Sequence, residues 1–180
     1  MTFRLPIGQI SYVLHDDITQ RRSHSDNAAL NILMVVVGAH DLRDSKSSDH
    51  IRVKSYIPHP KYEEKIPYQP YDDIMLLKLE KKVQLNKKVG VIPLPKKGED
   101  VKAEASCSVA GWGRLTDGSA SNVLMEAKVS GDSGGPLVCG NTAVGITSFS
   151  ALRCNSSDHP NGYTKISAYI QWIDIVTRNV

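Results

Sequence analysis

The residues of this chain most suited to chemistry lie in one short segment, SGDSGGPLVCG, at positions 130–140. Glycines at 131, 134 and 135 flank Ser133, and Pro136 closes the run. Glycine tolerates positive φ and close approach of backbone, so this composition describes a tight bend with a serine at its apex. A serine held in such a bend presents its hydroxyl outward. The N–H groups of Gly131 and Ser133 are then free to converge on one developing oxyanion, the electrostatic half of acyl transfer. The alternative is a glycine-rich β-turn in which the serine is incidental.

A catalytic serine needs a rigid scaffold, and the rest of the sequence reads as one built from strands. Short runs rich in Val and Ile, bounded by Gly, Pro, Asp and Asn, occur at 33–39, 50–57, 74–79, 89–94, 106–112, 122–129, 135–140 and 143–150. Such spacing predicts an antiparallel all-β sandwich or barrel. One helix is predicted at the end, where Tyr169, Trp172, Ile173 and Val176 form a single apolar stripe and Ser167 is placed to cap it.

Composition narrows the function classes. With 41% apolar and 23% charged residues the chain is ordinary for a globular protein, which excludes a disordered or collagen-like one. A net charge of +3 is too small to indicate nucleic acid. No run approaches the roughly 18 apolar residues of a membrane span. The first residues, MTFRLPIGQISYVLHDDITQRR, show no basic segment followed by an apolar one, so no secretory signal is visible. Lysines are paired at 81–82, 87–88 and 96–97. They read as a solvated face or as a polyanion-binding patch.

The 130–140 segment resembles the nucleophile region of the chymotrypsin/trypsin-like serine proteases, and the resemblance spans most of residues 34–176. YDDIMLLKL at 71–79 is similar to the family's Asp-Ile-x-Leu-Leu strand, and ASCSVAGWG at 105–113 to its Cys-x-x-x-Gly-Trp-Gly segment. GITSF at 145–149 and YTKISAYIQWI at 163–173 resemble the later strands and the closing helix. VVVGAHDL, IPHPKY and VIPLPKKGEDV look closest to the granzyme and mast-cell protease branch. The resemblance implies a chymotrypsin-like double antiparallel β-barrel with a C-terminal α-helix. It also implies a serine endopeptidase acting on protein or peptide substrates without a cofactor, monomeric, and extracellular or granule-stored. In that scheme Ser133 attacks the carbonyl, a histidine takes its proton, and Asp73 orients the histidine and stabilises its cation. Ser148 touches Asp73, Phe149 walls the specificity pocket, and Cys107 pairs with Cys139. The competing class is a protease-like binding protein whose lysine-rich face engages proteoglycan.

The chain departs from the family pattern in several places. About 200–250 residues is usual for a double barrel, and this chain is shorter. The expected reading is residues 1–33 as an atypical segment and 34–180 as an incomplete protease domain, with a partial first barrel and a block deleted from the second. The family's Ala-Ala-His-Cys string is missing. His159 follows Ser133 and is excluded by chain order, and His40, His50 and His59 read as loop residues. His15 and His24 remain, with His24 the candidate base. Loss of the triad histidine costs on the order of 10⁶ in kcat in one well-studied triad enzyme.

Activation and specificity features depart too. Asp132 lacks the Ile-Ile-Gly-Gly amino terminus with which the family pairs it. Between Val129 and Ser130 the stretch carrying the pocket floor is absent, and Ser150 and Asn161 stand where many relatives have pocket-wall glycines. Cys154 loses its family partner with that stretch and is expected to be a free thiol. The resemblance places no metal here, because Ala39 replaces the acidic residue of the calcium-binding relatives. These gaps together suggest a truncated or alternatively assembled chain. Asn155-Ser156-Ser157 forms a glycosylation sequon, meaningful in a secreted chain.

Overall fold

A computed structural model describes residues 12–15, 34–44, 48–62, 71–102, 104–112, 119–128, 136–149 and 162–178. They form nine strands and one helix: β1 (Tyr12–His15), β2 (Met34–Val37), β3 (Asp49–Pro58), β4 (Met75–Leu79), β5 (Cys107–Gly111), β6 (Met125–Lys128), β7 (Pro136–Cys139), β8 (Thr142–Phe149), β9 (Gly162–Lys165) and α1 (Ile166–Arg178). Four strands make one sheet in the order β1-β4-β3-β2, and five make a second in the order β6-β5-β7-β8-β9. All pairings are antiparallel.

β4 organises the core. Its five residues, MLLKL, are all buried, as a strand covered on both faces requires. Met75, Leu77 and Leu79 pack with Val35, Val37, Ile51 and Val83 inside the first sheet. Leu76 points the other way and, with Ile74, joins Ala143, Ile146, Ile166 and Ile173 from the second sheet and the helix. Alternation along one strand therefore builds two cores and ties the sheets together. Burial of each such aliphatic side chain stabilises by about 1.5–3 kcal/mol.

Other ties cross the same seam. Leu42 N–H donates to Asn122 O at 2.8 Å, Leu124 N–H to His40 O at 2.7 Å, and the Trp112 indole N–H to His40 O at 3.2 Å. Within the second sheet β7 and β8 are joined by Gly140-Asn141. Gly140 has φ 62° and Asn141 is not left-handed, which is the type II′ pattern suited to the strand twist. Cys107 and Cys139 face each other across β5 and β7 and form a disulfide, the pairing implied by the family resemblance.

Several expectations are corrected. Residues 89–94 form no strand. Pro93 and Pro95 cannot donate to a ladder, and the segment's tie to the second sheet is the Ala143 N–H bond to Pro93 O at 3.0 Å. Ser167 does not cap the helix, because β9 runs directly into α1, which begins at Ile166. Ser167 instead lies in the first turn, 1% exposed, where its carbonyl accepts the Gly98 N–H. His50 belongs to β3, and His59 follows that strand and is mostly buried. β1 was not anticipated at all. It pairs with β4 in the register Tyr12↔Lys78 to His15↔Met75. Among the described residues neither sheet closes on itself into a barrel.

Candidate functional site

Asp73 sits at the seam between the sheets, immediately before β4, and is 4% exposed. A buried carboxylate is costly unless donors surround it. Ser148 Oγ donates to Asp73 Oδ2 at 2.8 Å, and Thr164 Oγ1 donates to the Asp73 carbonyl at 2.8 Å. These donors come from β8 and β9, so the second sheet holds Asp73 by its side chain through Ser148 and by its backbone through Thr164.

Local irregularity aims Ser148. In the β8–β9 ladder Thr147 pairs with Tyr163 and Phe149 with Gly162, which leaves Ser148 as the extra residue of a β-bulge. Bulges re-aim a side chain out of the regular alternation. Thr147 on one side of it is buried, and the displaced Ser148 turns its hydroxyl toward the seam. Nothing in the sequence of this strand announced the bulge.

The residue before Asp73 is equally unusual. Asp72 has φ 52°, the only left-handed non-glycine conformation among the described residues. Its carbonyl accepts the Ile74 N–H at 2.8 Å, which closes a three-residue turn around Asp73. Its carboxylate accepts the Tyr169 hydroxyl at 2.8 Å. His59 Nδ1 lies 3.7 Å from the same oxygen, and the imidazole packs edge-on against Tyr169 and Trp172 with ring centroids 5.1 and 5.0 Å away. Burial lowers the His59 pKa below its ordinary value, against the opposing pull of Asp72, with Lys61 lowering it a little further. Burial also pushes the Tyr169 hydroxyl well above the ordinary phenol range, reinforced by its hydrogen bond to Asp72 and the charges of Asp72 and Asp73. Tyr169 therefore stays a donor at any working pH.

Other site residues named from the sequence lie outside the described residues: Ser133, Gly131, Asp132, His24, Ser150, Asn161 and Cys154. Phe149 is placed by its backbone at the end of β8, opposite Gly162, with its side chain outside the description. The structure thus brings Asp73 and Ser148 together and does not locate the nucleophile or base. His15 ends β1 opposite Met75, two residues beyond Asp73. The described residues contain no cluster of three or more His, Cys, Asp or Glu able to cage a metal ion. No helix among them is long and apolar enough to cross a membrane.

Comparison with known proteins adds to this geometry. The family model described as Trypsin matches residues 24–130 and 126–173. The two stretches overlap at residues 126–130. Mast cell protease 8 of Mus musculus is 31% identical over 195 residues, covering 90% of this chain and 75% of that one. Granzyme B of Homo sapiens is 31% identical over 198 residues, covering 90% and 76%. Among solved structures, a mutant of human heparin binding protein superimposes with a TM-score of 0.72 at 26% identity, covering 97% of this chain and 84% of that one.

Proposed function

The chain belongs to the trypsin family, and on that premise we propose that it is a serine endopeptidase scaffold of the granzyme and mast-cell type whose turnover is impaired. Ser133 is the nucleophile, the N–H groups of Gly131 and Ser133 receive the oxyanion, and Asp73 is the carboxylate that orients the base. The observation that carries this reading is the buried Asp73 carboxylate, held by Ser148 at the junction of the two sheets. A buried carboxyl group fixed in such a place suits the orientation of an imidazole better than it suits a purely structural role.

Impairment follows from what surrounds these groups in the sequence. Chain order requires a base before Asp73, where His24 is the candidate and His15 the alternative, and neither carries the family's flanking residues. Without an effective base, rate enhancement falls to the roughly 10³–10⁴ over water that an oxyanion hole and binding supply. The missing block and the residues at Ser150 and Asn161 further reduce substrate fit. A family setting of this kind supports an extracellular or granule location and protein substrates.

A fluorophosphonate probe tests the assignment on the full chain. Slow covalent labelling that maps to Ser133, and is lost in Ser133→Ala, is the expected result. Absence of labelling at any probe concentration would remove the nucleophile assignment.

One observation favours a second reading, a polyanion-binding role. Arg52 and Lys54 on β3 are exposed, and the Glu80 N–H bond to Arg52 O at 2.9 Å brings exposed Lys81 and Lys82 beside them. None of these four cations has an ion-pair partner among the described residues. By contrast Lys97 is tied to Gln171 and Lys165 to Asp100. The likeness to a heparin binding protein supports the same reading.

A further inference from the structure

We propose that Tyr169 and His59 are positioning residues for Asp73, acting through the carboxylate of Asp72. The inference rests on the protease reading only for the role given to Asp73; the geometry stands without it.

Asp72 is held in a conformation that L-residues with a Cβ rarely adopt, although aspartate is among the few that visit it. Such a conformation persists where the surroundings over-determine it, and it tends to occur at functional sites. Here it has an evident consequence. The left-handed residue reverses the chain so that Asp73 turns inward, toward Ser148 and Thr164. Relaxation of Asp72 to an ordinary backbone region would rotate the peptide joining it to Asp73. The 2.8 Å bond from Ser148 could not survive that rotation unchanged.

Two kinds of anchor hold the turn. Its backbone is pinned by Ile74 N–H to Asp72 O at 2.8 Å and by His59 N–H to Ile74 O at 2.9 Å. Its side chain is pinned from the helix by the Tyr169 hydroxyl, in the fourth residue of α1. Asp72 is 30% exposed, so without Tyr169 its carboxylate has a route to solvent. His59, 12% exposed, fills the space between the turn and the helix, wedged against Tyr169 and Trp172. Its Nδ1 accepts the Lys61 N–H at 3.4 Å and stands 3.7 Å from Asp72, beyond hydrogen-bond reach. Tyr169, at 2.8 Å, is therefore the donor that Asp72 follows. α1 is thereby coupled to the orientation of a carboxylate located 97 residues earlier than Tyr169.

The test is amide hydrogen exchange on the full chain, with fluorophosphonate labelling as a second arm. Tyr169→Phe removes one hydroxyl and keeps the ring that packs on His59. Exchange at the Ile74 and His59 amides should speed up roughly tenfold or more, the size expected for losing a hydrogen bond to a charged group. Exchange within α1 should stay at the wild-type rate, and labelling of Ser133 should slow by a similar factor. Asp72→Asn, which keeps an acceptor for the Tyr169 hydroxyl and tolerates the left-handed turn, should leave both close to their wild-type rates. Should Tyr169→Phe fail to fold, Asp72→Gly, which accepts the turn but offers nothing to Tyr169, should show the same fast exchange. Unchanged exchange at Ile74 and His59, or acceleration only in step with all of α1, would mean a packing role and overturn the proposal. If wild-type chain is never labelled, the exchange arm still decides this inference, and it is the protease reading that fails.

Discussion

The Ser148 hydroxyl donates to Asp73 Oδ2 at 2.8 Å from a bulge 75 residues away in sequence. That bond joins the two sheets and satisfies one oxygen of a buried carboxyl group. Ser148→Ala removes the donor and is expected to destabilise the fold by about 1–3 kcal/mol. At this chain length that is a loss of roughly 2–4 °C in Tm per kcal/mol. Thermal unfolding of the purified variant checks it. An unshifted Tm would mean that another donor takes over and that the bulge does not serve Asp73.

His59 gives the fold a pH dependence whose sign is fixed. Burial lowers its folded pKa below the ordinary 6.5, so the unfolded chain binds the proton more readily. Above pH 6.5 both states hold a neutral ring and the contribution is fully present. As pH falls below that value and through the folded pKa, stability is lost. Tm measured between pH 7.5 and 5 should fall more steeply in the wild type than in His59→Phe, which keeps an aromatic ring beside Tyr169 and Trp172 and cannot titrate. Equal slopes in the two proteins would contradict the assignment.

Asp41 shifts in the same sense, but at a lower pH. The Arg43 guanidinium, bonded to it at 2.6 and 2.8 Å, holds its carboxyl at about 2. Its contribution is present above the ordinary aspartate range and is lost only as pH falls toward 2, well below the window that His59 governs. Arg43 is exposed and Asp41 partly so, so salt should weaken the pair, and NMR titration of Asp41 in high salt should return its pKa toward the ordinary value.

The strands that were legible in the sequence are those whose apolar residues needed a partner face. Met75, Leu77 and Leu79 alternate with Leu76, and every one is buried. What escaped detection depended on tertiary context. The stretch at 89–94 has the composition of a strand, but its prolines deny it a ladder. β1 has four residues and reveals itself only by pairing with β4. The roles of Ser148 and Asp73 were suggested by resemblance, while the bulge and the left-handed Asp72 that bring them together leave no trace in residue type. His59 read as a loop residue because nothing in IPHPKY indicates that Tyr169 and Trp172 will enclose it.

Cys107 and Cys139 close a loop across a separation of 32 residues. On the chain-entropy view a cross-link of that span stabilises by about 3–4 kcal/mol. The double variant Cys107→Ala/Cys139→Ala should lose that amount in denaturant unfolding while β5 and β7 keep their pairing. A midpoint unchanged from wild type would show that the bond adds nothing beyond the ladder.

The cationic patch makes the binding reading separable from the enzymatic one. Arg52 and Lys54 lie on β3 and Lys81 and Lys82 just after β4, whereas the Asp73 seam is built with Ser148 and Thr164 of the second sheet. Attraction between such a patch and a sulfated polysaccharide is long-range and weakens as salt shortens the Debye length, which is about 8 Å at physiological ionic strength. Binding to heparin should therefore weaken steadily with added salt. The double reversal Lys81→Glu/Lys82→Glu should lower the salt needed for elution without altering fluorophosphonate labelling of Ser133. Reversal of Lys165, already paired with Asp100, should change elution far less. If all these variants elute together, the affinity is a property of net charge, and the patch beside Arg52 is no binding site. Single-stranded DNA of equal charge provides the remaining contrast. No aromatic residue is interleaved in sequence between Arg52 and Lys54 or between Lys81 and Lys82 as a platform on which bases could stack, so it should elute at lower salt than heparin.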